Sequence, residues 1–303
     1  MRITKDRSKL YYDFVPGITE PRISISSGDR IIVETFDAAG GMFLDEWVYV
    51  RPNPITGPIY VKDAMPGDTL EIEIHDIKLV GKGYMHIINH KEPTKFTKNG
   101  HEFILSEVTC DNSIRIKNNN DNVFPTSPMI GVIGVSVPHN QDGVFYGLDV
   151  GDYGGNMDNS AIKAGVKVYL PVYVEGALLG IGDVHGAMGD GEIFDQGMEF
   201  CADVDITVKV RSNVKINKPF VISDDIISTT ASAKTIEEAC SHVAMDMRNV
   251  LEILCGLSHV DAGLALGLYG DIRVCQIMNK TVRMEIKRDI LRNFFNSDKL
   301  NIN

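Results

Sequence analysis

The chain has 303 residues, of which 44% are hydrophobic and 23% are charged, a composition typical of a globular protein with a substantial core. Its formal net charge is −11, and it has no cluster of Lys and Arg residues. This balance argues against nucleic acid and against an anionic membrane surface as partners, because both require clustered positive charge.

The N-terminal residues 1–14 lack the apolar segment of a signal peptide, and no run approaches the ~20 apolar residues of a membrane span. The five cysteines are scattered and form no Cys-x-x-Cys motif. This pattern is typical of reduced thiols in a cytosolic protein. We therefore expect a cytoplasmic protein with no zinc site built from cysteines.

The first part of the chain, residues 1–120, consists of short alternating segments separated by Gly, Pro and Asp. Examples are residues 30–34, 59–61, 69–80 and 102–105. The alternation of apolar and polar side chains in residues 69–77 predicts a strand with one buried face. The segment as a whole predicts a β-sandwich or a distorted barrel.

The central region, residues 121–215, continues with predicted strands and carries the acidic, glycine-rich segments described below. Residues 125–137 are apolar and contain two glycines, which favours a buried strand with close backbone contacts. Residues 166–174 and 177–181 predict two strands joined by a turn, and residues 198–210 alternate as a further strand.

The C-terminal region, residues 216–303, differs because it mixes helices with strands. Thr235 is a predicted N-cap, and apolar residues follow at helical spacing to Leu254. A second helix is predicted over residues 260–268, then strands over 271–277 and 281–286 and a helical tail from Lys287. The predicted fold is mainly β (α+β), with a sandwich or barrel core and a small C-terminal α+β lobe.

The segment from Gly182 to Glu192 combines three carboxylates and one imidazole with four glycines. If the preceding strand stays extended to His185, the side chains of Asp183 and His185 point to the same face. A carboxylate beside an imidazole at a strand end is half of a divalent-metal site. The alternative is an acidic loop exposed to solvent.

Two other acidic, glycine-rich segments follow predicted strands. Glu34 and Asp37 stand before Gly40, and Asn156 and Asp158 follow a Gly-Gly pair. Asp37 and Asp158 also suit turns, because Asp side chains accept hydrogen bonds from the backbone two residues on.

The chain resembles the acetamidase/formamidase family in a series of ordered motifs. These are Glu34-Thr35-x-Asp37, Asn53-Pro54-Ile55-Thr56-Gly57-Pro58-Ile59-Tyr60-Val61, Pro66-Gly67-Asp68, Pro128-Met129-Ile130-Gly131-Val132-Ile133-Gly134, Gly154-Gly155-Asn156-Met157-Asp158, Gly182-Asp183-Val184-His185 and Gly189-Asp190-Gly191-Glu192. The resemblance implies the hydrolysis of short aliphatic amides, such as formamide and acetamide, to a carboxylate and ammonia.

Amide hydrolysis needs a nucleophile, a group that stabilises the oxyanion, and a proton for the leaving nitrogen. The chain has no Gly-x-Ser-x-Gly motif and no recognisable Cys-Glu-Lys triad, although Cys110 and Cys201 stay open as thiol nucleophiles. A divalent metal meets these needs with few residues, because it activates water and polarises the amide carbonyl.

We therefore predict a metal site whose ligands are Asp37, Asp158, Asp183 and His185. Mixed carboxylate and imidazole ligands favour zinc, with calcium as the alternative. We assign Glu192 as the general base and proton shuttle.

Further roles complete this hypothesis. Asn156 would donate a hydrogen bond to the oxyanion or to the substrate carbonyl. The remaining candidates are supporting or alternate ligands, namely Glu34, Asp190, His86 and His90.

Two other functions stay open at this point. One is a non-catalytic β-sandwich that binds a cation and a small ligand, and the other is an amidase with a cysteine nucleophile. The predicted partners are a small neutral amide and a second copy of the chain, since the two C-terminal helices are apolar on more than one face. Little apolar surface is assigned to a pocket, so we expect only the shortest amides to be accepted.

Overall fold

The computed structural model describes most of the chain. The described residues are 1–15, 19–41, 53–88, 101–109, 112–116, 122–138 and 148–295, without the side chains of 86–88 and 101–103.

Strands dominate the described part of the chain. They are β1 Arg2–Ile3, β2 Ile23–Ile25, β3 Arg30–Thr35, β4 Ile55–Val61, β5 Thr69–Ile88, β6 His101–Val108, β7 Ser113–Ile116, β8 Val123–Pro125, β9 Met129–Gly134, β10 Val150–Gly151, β11 Gly154–Asn156, β12 Lys167–Pro171, β13 Leu179–His185, β14 Glu199–Arg211, β15 Phe220–Ile222, β16 Ile226–Ser232, β17 Asp271–Gln276 and β18 Thr281–Lys287. The helices are α1 Ile236–Cys255, α2 His259–Tyr269 and α3 Arg288–Phe295, after a short 3₁₀ turn at Arg7–Lys9.

The fold is mainly β, as the sequence predicts: a curled, largely antiparallel sheet with the helices close to the C-terminus. Its longest pairing joins β5 and β14, from Glu199 opposite Tyr84 to Arg211 opposite Thr69. The alternation in β5 orients one face inward, where Leu70, Ile72 and Ile74 are fully buried.

The larger of two hydrophobic cores lies among the strands from β1 to β15. Strand β13 is central to it, because it pairs with β4, β9 and β14 and all seven of its residues are buried. A buried central strand holds its side chains in fixed positions, and the two polar residues at its C-terminal end therefore lie in the protein interior.

The second core lies in the C-terminal part, where α1 packs on β16 and β18. The Thr235 side chain accepts a hydrogen bond from the Glu238 N–H, as the predicted N-cap requires, and Gly256 ends the helix with φ +66°. Val243, Met247 and Leu251 are fully buried on the inward face of α1.

The predicted strands and helices are present, with one difference in how they pair. The strands predicted at 166–174 and 177–181 do not pair with each other, because β12 lies between β5 and β15 while β13 lies beside β4, β9 and β14. The division at residues 120 and 215 stays a prediction. In the part of the chain that the structure describes, no helix is long and apolar enough to cross a membrane.

Candidate active site

The C-terminal end of β13 places a carboxylate and an imidazole side by side. Asp183 Oδ1 is 3.5 Å from His185 Nε2, so the two side chains point to the same face of the strand. His185 is paired in register with Glu199, the first residue of β14, and Glu199 Oε1 is 3.1 Å from the same Nε2 atom. All three side chains are buried.

Asp158 and Glu192 complete the cluster from two other segments. One ligand atom each from Asp158, Asp183 and His185 lies within 4.8 Å of the others, and the same is true of His185, Glu192 and Glu199. Asp158 follows β11 in a left-handed conformation, with φ +40°. Thus four buried carboxylates surround one imidazole.

Glu192 is held by a turn that contacts the C-terminal hairpin. The Glu192 N–H donates to the Gly189 carbonyl, at 3.1 Å. The neighbouring Gly191 pairs with Gln276, the last residue of β17, in a parallel bridge. The position of Glu192 therefore depends on a segment that lies far along the chain.

Two amide side chains orient the carboxylates of the cluster. Asn53 Nδ2 donates to Asp183 Oδ2 at 3.0 Å, and Gln276 Nε2 donates to Asp158 Oδ2 at 2.7 Å. Gln276 also donates to the Asn156 carbonyl, at 2.6 Å. In each aspartate, the Oδ2 atom accepts a hydrogen bond from one of these amides, and the Oδ1 atom does not.

Gly131 in β9 makes room for the cluster. A Cβ atom at this position would lie 2.4 Å from Asp158 Oδ1 and 2.7 Å from Asp183 Oδ2. Any side chain would therefore occupy the space that these two carboxylates share.

Burial and mutual repulsion perturb the protonation of the cluster. Burial raises the pKa of Glu192 to about 7 and that of Glu199 to about 8, and the charge of His185 opposes the rise in both. The pKa of Asp158 is raised by burial and by the charges of Glu192 and Asp183. For His185, burial lowers the pKa, but the charges of Glu199 and Asp183 outweigh it and the pKa is raised.

The residues fit a divalent cation. Asp158 Oδ1 and Glu199 Oε2 are buried without a hydrogen-bond partner among the described residues. Buried carboxylate oxygens without partners are costly, whereas a bound cation stabilises their charged form. The separations of 3.1 and 3.5 Å from His185 Nε2 are close to the ~3.3 Å between two ligands of a tetrahedral zinc ion.

Asn156 and Asp37 occupy different positions relative to this cluster. Asn156 Oδ1 is 3.4 Å from Asn53 Nδ2, the amide that also contacts Asp183. Asp37 belongs to neither ligand group of the described residues, and its Oδ1 accepts hydrogen bonds from the Ala39 and Gly41 N–H groups. This is the contact pattern of a turn, and its role as a ligand stays a prediction.

The supporting candidates contact arginines. Glu34 Oε1 is 2.7 Å from Arg2, and both Asp190 oxygens accept hydrogen bonds from Arg283. Burial raises the pKa of Asp190, but the hydrogen bonds from Arg283 outweigh it, so the pKa is lowered.

The cysteine alternative has one described candidate, Cys201. Burial and the charge of Asp37 raise the pKa of the Cys201 thiol to about 12, and a protonated thiol is a poor nucleophile at neutral pH. Cys110, His90 and the side chain of His86 lie outside the described residues.

Sequence reasoning missed three residues of this site: Glu199, Asn53 and Gln276. Glu199 lies near the start of the predicted strand 198–210. The alternation of apolar and polar residues in that strand assigns Glu199 to the solvent-exposed face. Asn53 is part of a motif that carries the family resemblance, which is the one signal that pointed to it. We found no local signal for Gln276.

A model of the acetamidase/formamidase family matches residues 2–141 and 150–247, more than half of the chain. The chain belongs to this family. Two solved structures of similar fold are a predicted acetamidase/formamidase from Thermoanaerobacter tengcongensis and an acetamidase from Bacillus halodurans. The first is 30% identical, with a TM-score of 0.85, and the match covers 97% of this chain and 98% of that one. The second is 33% identical, with a TM-score of 0.85, covering 98% and 99%.

Two curated relatives match this chain over only part of their own length. A formamidase-type protein of Schizosaccharomyces pombe is 25% identical over 251 aligned positions, and the match covers 63% of this chain and 61% of that protein. The acetamidase of Mycolicibacterium smegmatis is 24% identical over 221 aligned positions, and the match covers 54% of this chain and 53% of that protein. The chain thus spans little more than half the length of these relatives.

Proposed function

We propose that the chain is a metal-dependent hydrolase of short primary amides such as formamide and acetamide. In this reaction the C–N bond of the amide breaks, water adds a hydroxyl group to the acyl carbon, and the nitrogen leaves as ammonia. Membership of the acetamidase/formamidase family supports amide hydrolysis. The finer assignment rests on the cluster at the end of β13.

The observation that carries the proposal is the group formed by Asp158, Asp183 and His185. It combines buried ligand atoms with an Asp158 Oδ1 atom that has no hydrogen-bond partner in the described part of the chain. An imidazole among the ligands favours zinc over calcium, which takes oxygen ligands. When bound, such a metal acts as a Lewis acid on the amide carbonyl and lowers the pKa of water from 15.7 to about 7.

The protein side chains would supply proton transfer and orientation. Glu192 accepts a proton from the attacking water and delivers it to the leaving nitrogen, because its carboxylate borders the cluster and also faces the adjoining pocket. Asn53 and Gln276 hold the carboxylates of Asp183 and Asp158 in place. We assign Asn156 to a hydrogen bond with the substrate, and Asp37 as a further ligand.

Chelation followed by reconstitution tests this function. The purified protein is treated with a strong chelator, its metal content is measured, and zinc, manganese or calcium is restored separately. We expect ammonia release from acetamide to disappear with the metal and to return best with zinc.

The same experiment separates the alternatives. Full activity after verified metal removal, together with loss on thiol alkylation, would favour a cysteine nucleophile. Metal that binds tightly without any ammonia release from formamide or acetamide would favour a non-catalytic, cation-binding protein.

We further propose a cytoplasmic homodimer. Among the described residues, the thiols of Cys201, Cys240 and Cys275 form no disulfide, which is compatible with a reducing compartment. The exposed apolar side chains on α2 supply a surface for a second copy.

A further inference from the structure

An apolar pocket of about 620 Å³ lies beside Glu192. One wall includes Met85, Ile116 and Phe124, and the other comes from residues 187–198. Pockets of about 300–1,000 Å³ accommodate drug-sized ligands, so acetamide would leave most of this volume empty. The sequence-based expectation is a pocket with little apolar surface, and this apolar pocket is larger than that expectation.

The pocket adjoins the cluster of carboxylates and His185 through one polar side chain. Glu192 borders the pocket and also belongs to the ligand group with His185 and Glu199. Asp190, the other carboxylate of the lining, is already paired with Arg283. A ligand in the pocket therefore meets one available carboxylate, at the end where hydrolysis would occur.

Large apolar side chains at the pocket are exposed to solvent. Phe124 is 45% exposed, Ile193 61% and Phe194 38%. Exposed apolar side chains grouped around a cleft are typical of a ligand-binding site, because binding removes their surface from water.

Glu192 fixes the direction of an amide in this space. It lines the pocket, belongs to the ligand group with His185 and Glu199, and is the group proposed to deliver a proton to the leaving nitrogen. The amide group therefore lies at the cluster end, and the acyl group extends into the pocket.

We propose that this pocket binds the apolar acyl chain of the substrate, so that the preferred amides are longer than acetamide, in the range of butanamide to hexanamide. This inference rests on the proposed function, because it assigns the pocket to the same reaction.

The test measures kcat/KM of the metal-loaded protein for acetamide, propionamide, butanamide, pentanamide and hexanamide. Each methylene that enters the pocket should raise kcat/KM about fourfold. Values that fall steadily from acetamide onward would overturn the proposal and leave amide hydrolysis intact. A rise for N-alkyl acetamides instead of the longer acyl amides would also overturn it.

Phe124→Ala tests the pocket wall directly. The variant should lower kcat/KM for hexanamide about tenfold and leave acetamide within about twofold, since acetamide does not reach the ring. Val123→Ala is the matched control, because Val123 is exposed on the same strand and does not line the pocket. Equal losses for both amides, or no loss for either, would contradict the assignment.

Calorimetric titration with hexanamide separates this inference from the proposed function. If no amide is hydrolysed, the proposed function fails. The apolar amide site would still be supported if the unmodified protein binds hexanamide, Phe124→Ala weakens that binding and Val123→Ala does not. If the unmodified protein does not bind hexanamide, the pocket assignment is overturned.

Discussion

Glu192 differs from the other carboxylates of the site because it faces two environments. Asp158, Asp183 and Glu199 lie within the cluster, whereas Glu192 borders both the cluster and the apolar pocket. A group in this position can exchange protons with a substrate, while the fully enclosed groups are placed to bind a cation. The two roles predict different results from substitution.

His185→Ala should lower metal occupancy and activity together, because it removes the imidazole common to both ligand groups. Glu192→Gln should keep the metal and lower kcat by about 10²–10⁴-fold, the contribution of general acid–base catalysis. Metal content by mass spectrometry and kcat on acetamide distinguish the two variants. If Glu192→Gln strips the metal from a folded protein, Glu192 is a ligand.

The sequence predicts this site incompletely, for physical reasons that differ between residues. Asp183 and His185 are predictable because strand alternation alone puts them on one face. Glu199 joins them only through the pairing of β13 with β14, and Gln276 only through the approach of β17 to the Glu192 turn. Such tertiary contacts have no local periodicity.

At the scale of elements, the hairpin of β17 and β18 supports the site from the C-terminal core. Gln276 donates to Asp158, and Arg283 in β18 holds both oxygens of Asp190. The turn that carries Glu192 lies between these two contacts. The C-terminal hairpin therefore helps to position the carboxylates of the cluster, in addition to contributing to its own core.

Gln276→Met should weaken metal binding about 10–100-fold, because Asp158 Oδ2 loses the donor that orients it. Met is close to Gln in size, so folding should be retained. The measurement is a competitive metal titration, with circular dichroism as the check of folding. Unchanged metal affinity and kcat would show that Gln276 has only a packing role.

A second arrangement, away from the site, joins β5, β12 and β14. The buried Glu71 carboxylate accepts from Arg211 Nε at 2.8 Å, and Lys167 Nζ is 3.5 Å away. Burial raises the pKa of Glu71, but the hydrogen bond from Arg211 and the charge of Lys167 outweigh it, so the pKa is lowered. The folded state therefore favours the charged form.

Glu71→Gln should lower the free energy of unfolding by about 2 kcal/mol at neutral pH. Because the folded pKa is depressed, this stabilisation is present above the ordinary value of 4.5 and is lost as the pH falls through the folded pKa. Urea unfolding of both proteins at several pH values checks this. If the difference in unfolding free energy between the two proteins stays constant into the acid range, the assignment is contradicted.

The elements themselves are largely predictable, because each has a local pattern. The Thr235 N-cap and the apolar spacing of α1 define a helix that the structure contains. The path of β12 away from β13 was not predictable, since a turn between two apolar strands does not specify which neighbours they take.

At the scale of the whole molecule, α2 exposes an apolar stripe. Val260 is 75% exposed, Leu264 51% and Leu268 63%, and their spacing of four residues places them on one face. Phe294 of α3, 64% exposed, stacks on Tyr269 at the end of the same helix. A second copy related by two-fold symmetry would cover such a surface.

We expect light scattering to give twice 33.5 kDa for the unmodified protein and 33.5 kDa for the double variant Leu264→Glu/Leu268→Glu. Charges placed opposite their own copies across a two-fold axis repel. A single 33.5 kDa species of the unmodified protein at micromolar concentration would contradict the dimer.

The contacts of Asn53 and Gln276 have a consequence for biosynthesis. Asn53 reaches a partner 130 positions later, and Gln276 reaches one 118 positions earlier. During translation the N-terminal strands emerge first, yet the completed cluster has to wait for β17. The nascent chain should therefore acquire the proposed metal late, after most of the larger core has formed, and ribosome-bound fragments ending before Gln276 should release no ammonia from acetamide.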